Sequence, residues 1–305
     1  MKVYAAPVIV VFIALAGLLQ GTTSAAEITG VPFIAELVSG DGCVVAGRGV
    51  GPYQRLFHWT KTDGTTIVRD VFPAVFPTRI TDINYDGTVI IGFDPYSMYY
   101  NDPYVWTESE GMVFIDDEWS PGFGAMPFGV SSDGTVITGM LGNDLIGGSI
   151  WPDGIDGFLW NSNDGTVLLG RIGSYGRSIS GDGQTIVGNA YVGDVNLGLE
   201  KSFFVWTASD GFADIDLGWA SDISVDGNVI IGTTPNGQAF RYTSTGGMQV
   251  IGDFSPERTN GDGSVIVGDG CVWDINAGLH TIEDYLRLNN VDLDKEGWTI
   301  DTVWD

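Results

Sequence analysis

The stretch Ile83-Asn84-Tyr85-Asp86-Gly87-Thr88-Val89-Ile90-Ile91-Gly92 decides the fold, because close variants of it occur five more times in the chain. Each copy has Ser or Asn, one spacer, Asp-Gly, a short run rich in β-branched residues and a closing Gly. The six copies span 38–47, 83–92, 130–139, 179–188, 223–232 and 259–268. Their Asp residues stand 45, 47, 49, 44 and 36 positions apart, a period typical of one propeller blade per copy.

A second pattern follows each copy, an aromatic residue two positions before Trp or Tyr. Its occurrences are Phe57-His58-Trp59, Tyr104-Val105-Trp106, Phe158-Leu159-Trp160, Phe204-Val205-Trp206 and Phe240-Arg241-Tyr242, and the sixth copy has Cys271-Val272-Trp273. Strand alternation puts the two large residues on one face, where they are predicted to form the core. His58, between two such rings, is predicted to face solvent.

Asp-Gly and Gly-Gly pairs between apolar runs indicate β-hairpins, because tight turns that match strand twist need positive φ. The second repeat is predicted to contain strands over 78–84, 88–92, 102–107 and 111–116. Four antiparallel strands per repeat predict an all-β fold, a β-propeller of about six four-stranded blades. A stacked β-solenoid is the alternative. Each Asp-Gly pair is interpreted as a turn, because one carboxylate is too few ligands for calcium. No cofactor or metal is predicted, and calcium alone is left open.

The N-terminal residues 1–26 have the pattern of a secretory signal peptide. Lys2 precedes an apolar run over 5–19, and small residues at 23–26 suit cleavage. The protein is therefore expected to be secreted, extracellular or at the cell surface. No membrane insertion is expected after cleavage.

The six repeats are predicted to form one propeller over residues 27–277. Residues 278–305 depart from the pattern. A capping-box start at Thr281 predicts a short helix, and 297–305 resembles the first strand of another copy. This last strand is expected either to close the ring or to belong to an incomplete seventh repeat.

The chain is strongly acidic, with 39 acidic and 13 basic residues and a formal net charge of −26. Such a charge repels phosphate, so no nucleic-acid partner is expected. Two cysteines in a secreted chain could pair. Cys43 lies beside a predicted turn and Cys271 in a predicted core strand, so a disulfide between them depends on the first and sixth repeats being neighbours.

The longest predicted connections lie between the second and third strands of repeats 2, 3 and 4, at 93–101, 140–156 and 189–201. Successive turns alternate between the two ends of a blade, so these loops share the face opposite the Asp-Gly turns. Loop insertions in repeat proteins often form the binding face. Aromatic side chains predict a ligand-binding rim on these loops. Its residues are Tyr96, Tyr99, Tyr100 and Trp151.

The repeated pattern Val/Ile-Ser-x-Asp-Gly-x-x-Val-x-Gly, followed by aromatic-x-Trp-Thr and Gly-Met, resembles the HAF family of bacterial extracellular repeats over residues 31–277. Gln238-Ala239-Phe240 is the best match to the tripeptide that names the family, and no copy has His at its first position. The resemblance implies a secreted, propeller-like protein often linked to the cell surface. It brings no catalytic residue with it.

Two functions compete at this point. The favoured one is a non-catalytic, monomeric binding or surface-interaction module whose partner is a protein or glycan at the cell surface. The alternative is a propeller-based carbohydrate-active enzyme, since glycoside hydrolysis needs only two carboxylates. The chain has two histidines and no motif for a nucleophile, so no catalytic residue is assigned.

Overall fold

Six four-stranded antiparallel sheets make up the computed structural model, which describes residues 34–49, 55–69, 78–95, 101–115, 124–142, 155–194, 198–289 and 291. Each sheet is built from four strands that are consecutive in sequence. The sheets, called blades 1 to 6 in chain order, are arranged in a ring. The fold is a β-propeller, as the repeat period predicts.

The first three blades contain strands β1 to β12. Their bounds are Ile34–Val38, Val44–Arg48, Leu56–Thr60 and Gly64–Arg69 in blade 1; Arg79–Ile83, Val89–Pro95, Asn101–Thr107 and Gly111–Phe114 in blade 2; Ala125–Val130, Val136–Gly142, Ile155–Asn161 and Gly165–Ile172 in blade 3.

The last three blades contain strands β13 to β24 and are followed by helix α1. Their bounds are Ser174–Ile179, Thr185–Asp194, Gly198–Thr207 and Gly211–Leu217 in blade 4; Trp219–Ile223, Val229–Thr233, Ala239–Thr243 and Gly247–Gly252 in blade 5; Arg258–Thr259, Val265–Gly268, Cys271–Asp274 and Gly278–Thr281 in blade 6; and Ile282–Leu288 for α1.

The Ser-x-Asp-Gly motif forms the turn between the first two strands of each blade. In blade 3, Ser131 Oγ donates to Asp133 Oδ1 (2.7 Å), which also accepts the Thr135 N–H (3.0 Å). The Val136 N–H donates to Ser131 Oγ (3.0 Å) and closes the network. The Gly at the end of each motif has a φ near +70°. The motif is therefore a self-bonded turn, and the end of the propeller that carries it is called the Asp-Gly face.

The hydrophobic core lies between blades. In the described residues, apolar clusters fill each interface between consecutive blades from 1 to 6. At the first interface, for example, Leu56 of blade 1 packs with Tyr104 and Trp106 of blade 2. The aromatic-x-Trp pattern therefore supplies core residues, as predicted.

The prediction for His58 is wrong. This side chain is 8% exposed, and its ring centroid lies 5.1 Å from that of Trp106 in the next blade. A blade has a neighbour on each face, so both sides of an alternating strand are covered. Alternation therefore does not expose the residue between two core rings.

The C-terminal segment begins as predicted. Helix α1 starts after Thr281, whose Oγ1 accepts the Asp284 N–H (3.1 Å). Tyr285 and Leu286 are buried against blade 6. The signal peptide predicted at 1–26 and the strand predicted at 297–305 lie outside the described residues. In the parts of the chain that the structure describes, no helix is long and apolar enough to cross a membrane.

The disulfide between Cys43 and Cys271 is not formed. Both thiols are free. Cys43 lies in the Asp-Gly turn of blade 1, whereas Cys271 begins the third strand of blade 6 at the opposite end. Because successive strands run in opposite directions, these two positions lie at opposite ends of their blades and cannot meet the short distance that a disulfide requires.

Candidate functional site

The first strand of each blade lies innermost, because β1, β5, β9, β13, β17 and β21 contact one another in order around the propeller axis. In five of them one extra residue interrupts the pairing with the second strand at the same place. Such bulges re-aim side chains and are common beside functional sites. The bulge residues are Glu36, Thr81, Phe128, Arg177 and Ser221.

In blades 2 and 5, the residue after the bulge is an aspartate, and the two aspartates form a charged constriction in the central channel with Arg258 of blade 6. Arg258 of blade 6 lies between two carboxylates, 3.4 Å from Asp82 of blade 2 and 3.9 Å from Asp222 of blade 5. The three side chains are 32, 18 and 10% exposed, respectively, so solvent reaches all of them. We call this set the channel neck.

Both neck carboxylates also bind backbone of the following blade. Asp82 Oδ2 accepts the Val130 N–H (3.0 Å), and Asp222 Oδ2 accepts the Thr259 N–H (3.0 Å). Burial raises the pKa of Asp82, against the opposing effect of Arg258. Burial also opposes the charge of Arg258, but the two carboxylates together raise its pKa. The hydrogen bonds and ion pairs of the channel neck thus link blades 2, 3, 5 and 6.

Arg177 enters the same channel without such partners. Its guanidinium is electrostatically coupled to groups on blades 2, 4, 5 and 6, which places it near the axis. Burial lowers its pKa, and the like charge of Arg258 adds to this effect. Among the described residues it makes no hydrogen bond or ion pair, and its one ring contact is with Phe128, 5.9 Å from the guanidinium carbon.

An aromatic cluster begins at the level of Arg177 and extends away from the Asp-Gly face. Its ring centroids form a continuous series: Phe128 to Tyr175 at 5.7 Å, Tyr175 to Trp219 at 5.7 Å, and Trp219 to Tyr191 at 5.6 Å. The interplanar angles of 60 to 64° are the edge-to-face geometry that aromatic pairs prefer. All four side chains are partly exposed. We call this set the mouth cluster; it belongs to blades 3, 4 and 5.

The loop predicted at 189–201 is wrong, because most of it is strand: a long hairpin of blade 4 extends past the mouth cluster. Strands β14 and β15 have ten residues each, and their pairing continues to Asp194 and Gly198. Tyr191 and Lys201 are directly paired on this hairpin. The Lys201 ammonium lies 4.8 Å from the centre of the Trp219 ring, a cation–π distance. The hairpin therefore brings a positive charge over the mouth.

Asn189 fixes blade 4 against blade 5 beneath this hairpin. Its side chain is fully buried; Nδ2 donates to the Ala220 carbonyl (2.9 Å), and Oδ1 accepts the Ala220 N–H (2.7 Å). The neighbouring Trp219 is held in register by this contact. Burial raises the pKa of Tyr175 to about 12, so its phenol remains a hydrogen-bond donor at neutral pH.

The predicted rim residues Tyr96, Tyr99, Tyr100 and Trp151 lie outside the described residues. The strands on either side of their loops end on the face opposite the Asp-Gly turns, which is the face of the mouth cluster. Sequence reasoning missed the mouth cluster and Arg177, because it searched loops. A usable signal was present: a large aromatic or a charged residue in the first strand, two to five positions before the Ser or Asn of the motif.

The enzyme alternative requires a free pair of carboxylates in one cleft. Asp82 and Asp222 both face the channel, but each is held by a backbone N–H and by Arg258. These contacts give both carboxylates a structural role, since they link neighbouring blades. In the described part of the chain, no group of three or more His, Cys, Asp or Glu side chains could hold a metal ion.

The fold and the channel define a six-bladed β-propeller with a polar neck and an aromatic mouth. No protein-family model matches the sequence, and no curated protein matches it. Among solved structures, the β-propeller domain of the Trilobed protease from Pyrococcus furiosus, described as having an open velcro topology, is 12% identical with a TM-score of 0.60. The match covers 86% of this chain and 87% of that one.

A second similar structure is TolB from Acinetobacter baumannii, at 11% identity and a TM-score of 0.54. The match covers 78% of this chain and 62% of TolB, so the chain spans less than two thirds of that protein. Prolyl endopeptidases also match, at 11% identity, a TM-score of 0.50, and 78% of this chain against 40% of theirs. At these identities the likenesses show the fold alone.

Proposed function

We propose that the protein is a secreted, non-catalytic binding module of the HAF type whose binding face is the mouth of the central channel. The observation that carries the proposal is the mouth cluster, four partly exposed rings on three adjacent blades around Arg177. Rings of this kind offer large, rigid contact area to a ligand at little entropic cost. The propeller behind them supplies a fixed frame.

The position of the longest loops supports the same face. The connections at 96–100 and 143–154 leave blades 2 and 3 at the end where the mouth cluster lies. Blade 3 thus contributes both a mouth ring and a long loop, and blade 4 contributes two mouth rings and the long hairpin. We propose that Tyr96, Tyr99, Tyr100 and Trp151 extend the contact surface outward from the cluster, in a monomeric protein that binds a protein or glycan at the cell surface.

The experiment compares ligand screens of the protein lacking residues 1–26 with screens of two variants. Glycan and peptide arrays are probed with the wild type, with Trp219→Ala, and with Tyr85→Ala as the matched control. Tyr85 is an exposed aromatic residue in the Asp-Gly turn of blade 2, on the opposite face. We expect Trp219→Ala to lose at least tenfold in affinity and Tyr85→Ala to bind like the wild type.

The alternative function has its own outcome. If the protein hydrolyses an arrayed glycan and Asp82→Asn or Asp222→Asn abolishes the hydrolysis while the variant remains folded, the module proposal is wrong. If ligands bind equally well to both aromatic variants, the binding face lies elsewhere on the propeller.

A further inference from the structure

Arg177 is the charged group of the channel whose presence the fold does not explain. Each carboxylate of the neck has a backbone N–H and Arg258 as partners. Arg177 makes no hydrogen bond or ion pair to any residue that the structure describes, and burial lowers its pKa. A partly buried guanidinium without a hydrogen-bond acceptor in the described part of the chain is unfavourable for folding, and the contacts between the blades do not account for it.

The surroundings of Arg177 have the features of a carboxylate site. A guanidinium presents five N–H donors in a fork that matches a carboxylate with two parallel hydrogen bonds. Tyr175, in the same strand, contributes a protonated phenol beside it. Lys201 lies over Trp219 at the outer edge of the mouth, so Arg177 and Lys201 both place positive charge at this entrance of a protein with net charge −26.

The net charge of the protein limits which classes of ligand could carry the carboxylate that Arg177 binds. A polymer of acidic sugars carries many negative charges and would be repelled by a chain with 39 acidic and 13 basic residues. A ligand with one carboxylate and otherwise neutral or basic groups is not penalised in this way. The rings of the mouth cluster further favour an apolar or aromatic group directly attached to the acid.

We propose that the channel mouth binds the C-terminal carboxylate of a polypeptide that ends in an aromatic or large apolar residue, with Arg177 pairing with the carboxylate and the mouth cluster packing on the terminal side chain. This proposal rests on the proposed function, because it assigns a ligand class to the same face. Arg258 cannot substitute for Arg177, since both of its neighbouring carboxylates already occupy it.

The test uses matched peptide pairs that differ only in the terminal group. N-acetyl-phenylalanine and its primary amide are titrated first, followed by a heptapeptide library with free C-termini and the same library amidated. Binding is followed by calorimetry and by the NMR signal of the Arg177 Nε–H group, identified by its loss in Arg177→Gln. We expect the free acids to bind at least tenfold more tightly than the amides and to shift the Arg177 signal.

The variants separate a binding role from a structural one. Arg177→Gln is expected to remove the preference for the free acid, and Arg177→Lys to restore part of it, because ammonium keeps the charge but loses the paired donors. The control Arg287→Gln removes one positive charge on helix α1, at the outer edge of blade 6. It is expected to bind like the wild type.

Four outcomes overturn the inference: equal affinity for acids and amides, no binding of any peptide at millimolar concentration, unchanged acid preference in Arg177→Gln, or selection of acidic glycans over peptides. If peptides fail but another ligand still depends on Trp219, the inference is wrong and the proposed binding face stands. If no ligand depends on Trp219, both are wrong.

Discussion

Arg258 and Asp82 are 176 positions apart in sequence, yet Nη2 of the arginine lies 3.4 Å from Oδ1 of the aspartate. The contact joins blade 6 to blade 2 across the channel, on the inner side of blade 1. Asp222 takes part through the Ser178 hydroxyl of blade 4, which donates to its Oδ1 (2.7 Å). Five consecutive blades, 2 to 6, are thus linked at the axis by a few polar side chains and their backbone partners.

The first prediction concerns the two arginines of the channel. Arg258→Met leaves two carboxylates without their cation, and we expect a loss of about 2 to 3 kcal/mol in unfolding free energy. This is less than for a fully buried pair, because the arginine side chain is 32% exposed. Arg177→Met removes a partly buried charge that makes no ion pair with any residue described in the structure, so stability should stay unchanged or rise. Urea unfolding curves measure both. Similar losses in the two variants would show that Arg177 also supports the fold.

The second prediction concerns two glycines of blade 2. Gly87 and Gly111 have φ values of +75° and +71°, so each is strained by any side chain. A Cβ on Gly87 would also lie 2.3 Å from Cγ2 of Val44 in blade 1, whereas a Cβ on Gly111 would have nothing within 4 Å. We expect Gly111→Ala to cost about 1 to 2 kcal/mol, and Gly87→Ala about 1 to 3 kcal/mol more.

Thermal or urea unfolding of the two glycine variants decides this point. Equal losses would mean that the turn conformation alone matters and that the Asp-Gly face is loosely packed. A larger loss at Gly87 would show that the motif selects glycine for a contact between blades as well as for φ. Ligand binding at the mouth should be unchanged in both folded variants.

The third prediction concerns the pH dependence caused by His58. Burial lowers the pKa of His58, although Glu108 opposes this effect. The folded state then binds fewer protons than the unfolded state just below the unfolded value of about 6.5. Stability should therefore be fully present above about pH 6.5 and be lost as the pH falls below it. His58→Phe should remove this component, and His280→Phe, on strand β24, serves as the control.

Unfolding free energies measured between pH 5 and 8 test this dependence. If the slopes of the wild type and His58→Phe are identical, the imidazole is hydrated in the folded state. The same experiment tests burial directly, because His58→Ala should cost about 1 to 3 kcal/mol, well above the roughly 0.5 kcal/mol of a typical surface substitution.

The blades could be predicted from sequence because their determinants are local. The Asp-Gly turn depends on three neighbouring side chains, as at Ser131, Asp133 and Thr135, and so repeats visibly in the chain. The strands predicted for the second repeat agree with β5 to β8 within two residues at most ends. Helix α1 was recognisable for the same reason, since Thr281 and Asp284 form its cap locally.

The sequence allowed us to predict at which end of the propeller the proposed binding face lies, but not which residues of the first strands form it. Its chemistry comes from one or two residues in each of several first strands, brought together by the ring. Arg177, Asp222 and Arg258 each look like a polar interruption of an apolar strand, and only the fold shows that they share a channel. The error at His58 has a related cause, because the blade that covers it begins twenty-one residues further along the chain.

The last prediction concerns the loops around the mouth. Residues 96–100 connect strands β6 and β7 at the end of the propeller that carries the mouth cluster. Replacing them with a short Gly-Ser turn should weaken ligand binding at least tenfold, or about 1.4 kcal/mol, because Tyr96, Tyr99 and Tyr100 are removed. The unfolding midpoint should change little, since the interface clusters of blade 2 involve its strands. Trp151→Ala should act in the same direction through blade 3. A ligand that depends on Trp219 but binds both loop variants like the wild type would confine the binding face to the channel mouth and leave the long loops as tolerated insertions.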